Sequence, residues 1–103
     1  MNDDDKTKRP PWEKLVIRRV TENAVVLARP CSLCFISITA GSGGPATAIV
    51  RNGSDGNAEA ILDLGAPTSS MAHGEFQRPL YFSRGIFLEV GSNVTSVLVQ
   101  VKQ

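Results

Sequence analysis

The residues from Pro79 to Val101 constrain the fold more than any other part of the chain. Two segments here carry apolar, mostly β-branched or aromatic side chains at every second position, and Gly91-Ser92-Asn93 separates them. Alternation with a period of two is typical of a strand with one buried face, and a short glycine and asparagine segment is typical of a hairpin turn. The stretch therefore predicts two strands joined as a hairpin. The alternating positions are Leu80 and Phe82, then Ile86, Leu88 and Val90, then Val97, Val99 and Val101.

The same pattern recurs along the preceding residues, with glycine, proline and asparagine between the apolar runs. Residues 13–20 and 24–29 read as a hairpin; a helix over 13–29 also fits the periodicity, but the density of valine and isoleucine favours strands. Further strands are predicted over 31–39, 46–51 and 58–64, with a short irregular one over 71–76. Eight or nine short strands divided by turns predict an all-β protein, a single antiparallel β-sandwich of which a jelly roll is one form.

The segment from Cys31 to Thr39 is predicted to be a central strand, because both of its faces carry apolar groups. Simple alternation puts Cys34, Ile36 and Ile38 on one face and leaves Leu33 and Phe35 on the other.

Length and charge limit the classes of function. The chain has 103 residues, the size of one domain, and its net charge is +1, with 11 basic against 10 acidic side chains. A balanced charge gives no overall attraction to nucleic acid, so no direct nucleic-acid binding is expected. The sequence contains no apolar run of membrane-spanning length, and its acidic start is unlike a secretory signal. We expect no membrane association and synthesis in a cytoplasm.

Residues 1–12 differ from the rest of the chain because they are charged, lack periodicity and end in Pro10-Pro11-Trp12. Consecutive prolines favour an extended backbone, so the sequence predicts an N-terminal arm over 1–12 and a sandwich domain over 13–103. Trp12 either caps the sandwich locally or anchors in a neighbouring subunit. The residues predicted to contact a partner are Asp3, Asp4, Asp5, Lys6, Lys8, Arg9, Pro10, Pro11 and Trp12, with Arg18 and Arg19 as a further interface.

No set of residues points to catalysis or to a cofactor. Cys31 and Cys34 have Cys-x-x-Cys spacing, but they lie in a strand-like run and His73 is the only histidine, one ligand short of a zinc site. Two reduced, packed cysteines are favoured over a redox or metal site. The acids fall singly, and no serine has a nucleophile-elbow sequence around it. We expect a protein that is not an enzyme.

Three loop motifs have a functional and a plain interpretation. Residues 52–57, Asn-Gly-Ser-Asp-Gly-Asn, have the oxygen-rich composition of a calcium loop without the EF-hand spacing, so a turn is favoured. Residues 41–44 resemble a phosphate loop only in composition. Asn93-Val94-Thr95 matches the glycosylation pattern but is predicted to be a turn.

Two motifs point to a known group of proteins. One is Phe82-Ser-Arg-Gly-Ile-Phe-Leu-Glu-Val90 before a glycine turn and a valine-rich strand, and the other is the glycine-rich hairpin that begins at Ile49. With these motifs, residues 33–101 resemble small β-sandwich proteins encoded among the structural genes of tailed bacteriophages. The resemblance implies a virion structural protein, a cement or decoration subunit on the capsid, present in the host cytoplasm before assembly. The implied partners are the major capsid protein or neighbouring virion subunits. The resemblance also implies that the protein forms a homo-oligomer, a trimer if it is a cement protein. It implies no catalytic residue.

Two other functions stay open at this stage. A tail or head-tail connector component has the same sequence characteristics as a capsid protein. A carbohydrate-binding β-sandwich is the third candidate, although its sites usually expose several aromatic residues and most of those here lie in strands that look buried.

Overall fold

The computed structural model describes residues 15–103, and all of its regular structure is β-strand. The predicted β-sandwich is confirmed, and the helical alternative for 13–29 is wrong because the described part of that segment forms two strands. The eight strands are β1 (Leu15–Val20), β2 (Ala24–Leu27), β3 (Cys31–Ala40), β4 (Ala46–Asn52), β5 (Glu59–Ala66), β6 (Met71–Phe82), β7 (Ile86–Val90) and β8 (Val94–Lys102).

The strands form two four-stranded sheets with nested pairing. The first sheet has the order β1-β8-β3-β6 and the second has the order β2-β7-β4-β5, and every pairing is antiparallel. Strand β4 pairs with β5, β3 with β6, β2 with β7 and β1 with β8, so the chain is a long two-stranded ribbon wrapped into two layers. This is the arrangement of a jelly roll, the form that the strand pattern allows.

Two predicted hairpins are wrong because their strands belong to different sheets. Strands β7 and β8 flank the predicted turn at 91–93, yet β7 lies in the second sheet and β8 in the first; β1 and β2 are separated in the same way. The chain does reverse at these residues, and Asn93 adopts a positive φ of 64°. Turn chemistry fixes a reversal of the chain, but it does not decide whether the strands pair or cross between layers.

The core lies between the sheets and is made of the alternating positions. Val97, Val99 and Val101 of β8 are fully buried, as are Ile86 and Leu88 of β7, which confirms the alternation read from the C-terminal stretch. On β3 the alternation shifts, because the register with β6 and β8 skips Cys34. A bulge of this kind adds one residue and changes the phase of the strand. Leu33, predicted on the face opposite Ile36, is therefore buried in the same core.

Strand β6 is longer than the sequence indicated. It has 12 residues and unites the predicted short strand at 71–76 with the segment that begins at Pro79. Its pairing with β3 passes from Glu75–Phe35 directly to Leu80–Leu33, so residues 76–79 lie opposite Cys34 alone. Beyond this wide bulge Leu80 and Phe82 point inward, and Tyr81 points outward.

Asparagine side chains hold the loops at both ends of the sandwich. Asn23 Oδ1 accepts a hydrogen bond from the Val90 N–H at 2.7 Å, and Asn52 Oδ1 accepts one from the Arg84 N–H at 2.9 Å. The Asn93 amide donates to the Pro45 carbonyl at 3.4 Å. Each bond joins segments that are distant in sequence, so these asparagines fix loops to strands instead of serving only as turn formers.

Candidate interaction surface

The outward-facing residues of the first sheet form one continuous surface, which we call the first face. Strand alternation and the paired registers place its members in rows across the sheet, because residues opposite each other in a ladder share a face. One row is Ile17, Gln100, Phe35 and Glu75; the next is Arg19, Leu98, Ser37 and His73; the flanking rows contain Leu15, Lys102, Ser32 and Tyr81 on one side and Ser96, Thr39 and Met71 on the other.

The first face carries large apolar side chains that are open to solvent. The side chains of Tyr81, Ile17 and Met71 are 67%, 62% and 58% exposed, the highest values for large hydrophobic residues in the described part of the chain. They lie on the two outermost strands, with Ile17 on β1 and the other two on β6. Exposed apolar residues grouped on one surface mark interaction sites, whereas single scattered ones do not.

The middle of the first face combines aromatic and small polar side chains. The rings of Phe35 and His73 stack with centroids 5.9 Å apart and planes inclined by 25°. Beside them, Ser37 and Ser96 are buried although they point outward, because their small side chains lie between larger neighbours. The two inner strands therefore expose little side-chain surface, and the most exposed apolar side chains of this face lie on the strands that flank them.

Charged groups of the first face lie mainly on its border. Arg19 is on the outermost strand β1, Lys102 is at the end of β8, and Glu75 is on the opposite outermost strand β6. All three are exposed. The exposed charges and the most exposed apolar side chains of the first face therefore lie together on its two outermost strands.

The outward surface of the second sheet, which we call the second face, carries an ion pair. The Arg51 guanidinium binds Glu89 Oε1 through Nε at 2.9 Å and through its second terminal nitrogen at 2.8 Å. Its remaining terminal nitrogen donates to the Ala58 carbonyl at 2.8 Å. The ion pair is partly shielded, with side-chain exposures of 18% for Arg51 and 40% for Glu89. Arg51 thus joins β4 to β7 and to the residue that precedes β5.

Depressions lie outside the first face. One of about 340 Å³ is on the second sheet where Gly65 lies opposite Thr47, beside Asp63. Another, of about 370 Å³, follows residues 25–29. A further one, of about 250 Å³, lies between the β4–β5 loop and Arg84 and contains Asp55 and Asn57. Among the described residues, no three or more of histidine, cysteine, aspartate and glutamate are grouped closely enough to hold a metal ion.

The sequence-predicted interface residues are only partly within the structure. Asp3, Asp4, Asp5, Lys6, Lys8, Arg9, Pro10, Pro11 and Trp12 all lie outside the described residues. Arg18 and Arg19 are described, and alternation sends them to opposite sides of β1. Arg18 donates to the Val26 carbonyl at 3.3 Å across the seam between β1 and β2, whereas Arg19 belongs to the first face. The two arginines do not form a single basic strip.

The residues of the loop and cysteine motifs lie in the described part of the chain. Cys31 and Cys34 are free thiols. Burial raises the pKa of the Cys31 thiol, the opposite of what a reactive redox cysteine needs. Asp55 Oδ1 accepts a hydrogen bond from the Asn57 N–H at 2.9 Å, which closes the turn whose composition resembles a calcium loop. A Cβ at Gly43 or Gly44 would lie 2.8 Å from the Asn93 side chain, so these glycines make room for that amide.

Comparison of the chain with protein-family models, with curated proteins and with solved structures finds no match in any of the three. No described segment forms a helix with the length and hydropathy needed to cross a bilayer.

Sequence reasoning does not identify the first face. The alternation does indicate that Tyr81 points outward, because its neighbours Leu80 and Phe82 are predicted on the inner surface. The placement of Ile17 on the same face as Met71 and Tyr81 depends on the pairing of β1 with β8, of β8 with β3 and of β3 with β6, which are distant in the sequence, and no local pattern contains that information.

Proposed function

We propose that this protein is a structural subunit of a virus particle, a capsid cement or decoration protein of a tailed bacteriophage, and that it binds neighbouring capsid subunits through the first face. The observation that carries the proposal is that the three most exposed large apolar residues of the described chain, Ile17, Met71 and Tyr81, all lie on one outward sheet surface. Such a surface is suited to a protein partner rather than to a substrate.

The architecture supports the proposal by analogy. Jelly rolls recur in viral capsid proteins and in lectins, so the fold is compatible with a virion role and does not establish it. The resemblance of residues 33–101 to phage structural proteins favours the capsid over the lectin interpretation. The proposed role is structural and non-catalytic, and residues 1–12 are proposed to add contacts with the same neighbouring subunits.

Reassociation with capsids tests the proposal. Particles that lack the protein are mixed with the full chain, pelleted, and the bound copies counted by gel densitometry. Ile17→Ser combined with Tyr81→Ser should reduce occupancy at least tenfold, because two exposed anchors of an interface are lost. Ile61→Ser is the matched control, since Ile61 is also an exposed apolar residue but lies on the edge of the second sheet.

Unchanged occupancy of the double variant would refute docking through the first face. A second candidate, a tail or head-tail connector component, uses the same surface and is separated by stoichiometry, because a ring gives a few copies per particle and lattice coverage gives hundreds. A glycan array on which the protein binds would instead favour the carbohydrate-binding alternative.

A further inference from the structure

Strand β6 ends the first sheet on one side, and its first half is a regular strand edge. From Met71 to Glu75 it pairs residue by residue with β3, and among residues 15–103 no strand lies on its other side. The unpaired N–H and C=O groups of an edge strand are a template for another strand. This edge is therefore a place where a further strand can be added.

The ladder shows which backbone groups face outward. The Ala40 N–H donates to the Ser70 carbonyl at 2.8 Å, so Ala40 and Ser70 form a hydrogen-bonded pair. Antiparallel pairs alternate between hydrogen-bonded and non-hydrogen-bonded. The pairs that contain Ala72 and Gly74 are then hydrogen-bonded to β3, and the N–H and C=O groups of His73 and Glu75 are directed to the open edge.

We propose that β6 pairs antiparallel with β6 of a second copy of the chain, about a two-fold axis at Gly74. In this register His73 lies opposite Glu75 of the second copy, and the same pair occurs again on the other side of the axis. Each pair exchanges two backbone hydrogen bonds, and its side chains meet on the first face. An imidazole N–H can donate to a carboxylate in either protonation state of the histidine.

Two features of β6 suit this register. Non-hydrogen-bonded pairs bring the two backbones closest together, and the position at the axis is Gly74, which has no side chain to separate them. The stack on Phe35 also fixes the His73 ring on the first face before any partner binds. The bulge at 76–79 and Pro79 limit the pairing to a short segment, because they interrupt the regular edge.

The other strand edges are not self-complementary. On β5 the register with β4 skips Ile61, so the edge is irregular there, and Glu59 and Asp63 on either side of it would put acids near each other in a two-fold pairing. Strand β1 carries adjacent arginines, Arg18 and Arg19, and β2 has only four residues and a register shift. The complementarity of a hydrogen-bond donor at His73 with a carboxylate at Glu75 therefore favours β6, and it favours a second copy as the occupant.

The pairing would join two first sheets into one eight-stranded sheet and two first faces into one larger surface. It is a property of the free protein, independent of the proposed virion role, and it predicts a dimer where the resemblance implies a trimer. A failed capsid test would not contradict the dimer, and a failed dimer test would not contradict the capsid proposal.

Sedimentation equilibrium of the full chain, from micromolar to millimolar concentration, measures the association. The wild type should form dimers. His73→Glu places two acids opposite each other, and Glu75→Lys places lysine opposite histidine, so each variant should raise the dissociation constant about tenfold or more. Glu59→Lys, the same change of charge on the edge of β5, should leave it unchanged. Thermal unfolding checks that each variant is folded.

Mixing the two weakened variants gives the sharpest result. In a heterodimer of His73→Glu with Glu75→Lys, the new glutamate faces the new lysine and the remaining Glu75 faces the remaining His73. The equimolar mixture should therefore associate better than either variant alone. A monomeric wild type, a trimer, association that neither variant weakens, or a mixture no better than its components would each overturn the proposal.

Discussion

The outward faces of the two sheets are built by the same alternation of side chains, but they differ in what those side chains contact. On the second face Arg51 binds both Glu89 and the Ala58 carbonyl, so its charges are satisfied within the fold. On the first face Ile17 and Tyr81 are more than half exposed. Because both sheets share one core, folding does not require this difference. The exposed apolar side chains are the reason that the first face, rather than the second, is proposed to meet a partner.

The largest expected effect is a difference in stability between substitutions on the inner and the outer surface of β6. Phe82 is fully buried, so Phe82→Ala should lower the free energy of unfolding by about 3–5 kcal/mol. Its neighbour Tyr81 points outward, and Tyr81→Ala should change that free energy by no more than about 0.5 kcal/mol while weakening capsid binding. Urea denaturation measures both. A large loss of stability in Tyr81→Ala would mean that the first face is part of the fold.

The next effect concerns the backbone contact that closes the end of the second sheet. Gly85 has a φ of +113°, and a Cβ there would collide with the Leu27 carbonyl oxygen. Gly85→Ala should cost about 2–3 kcal/mol from strain, with a matching fall in the thermal midpoint. Gly56→Ala is the control, since a Cβ at Gly56 would meet no atom within 4 Å, and it should be nearly neutral. Equal effects would contradict the close approach of the loops.

A smaller effect is expected from the ion pair on the second face. Arg51 and Glu89 are partly exposed, so solvent screening limits their coupling to about 1 kcal/mol or less. A double-mutant cycle with Arg51→Met and Glu89→Gln, followed by urea unfolding, measures it. Capsid occupancy should stay at the wild-type level in all three variants. A loss of occupancy would assign the second face to the interface as well.

The smallest expected effect is a pH dependence of stability that comes from Cys31, which is buried at the start of β3. Burial raises the pKa of the Cys31 thiol in the folded state, so folded protein holds this proton more tightly than unfolded protein. The resulting stability is present below the unfolded pKa of the thiol and is lost as pH rises through the folded one. Wild-type stability should therefore fall more steeply above pH ~9 than that of Cys31→Ala. Parallel profiles would show that Cys31 does not contribute.

The sequence predicts the features of this fold that depend on neighbouring residues, and it does not predict those that depend on pairing between distant strands. Alternation at Val97, Val99 and Val101 reports their burial because a strand has a period of two. The same rule fails at Leu33, since the bulge at Cys34 is imposed by pairing with β6 and β8. The turn at 91–93 is evident from its residues, yet its role in crossing between sheets depends on where β1 and β2 lie.

The first face is beyond prediction for the same physical reason. Exposure of Tyr81 follows from its buried neighbours, but its association with Ile17 follows only from the order β1-β8-β3-β6. The arm at 1–12 remains a prediction from composition. The asparagine bonds at Asn23 and Asn52 join segments that no window of sequence brings together.

Hydroxyl-radical footprinting of the free protein and of capsid-bound protein tests the central claim most directly. Met71 and Tyr81 react readily with hydroxyl radicals and lie on the first face, whereas Phe87 lies on the second sheet. Our account predicts that Met71 and Tyr81 are labelled in the free protein and protected on the capsid, with Phe87 unchanged. Equal labelling of Met71 and Tyr81 in both states, or protection confined to Phe87, would contradict it.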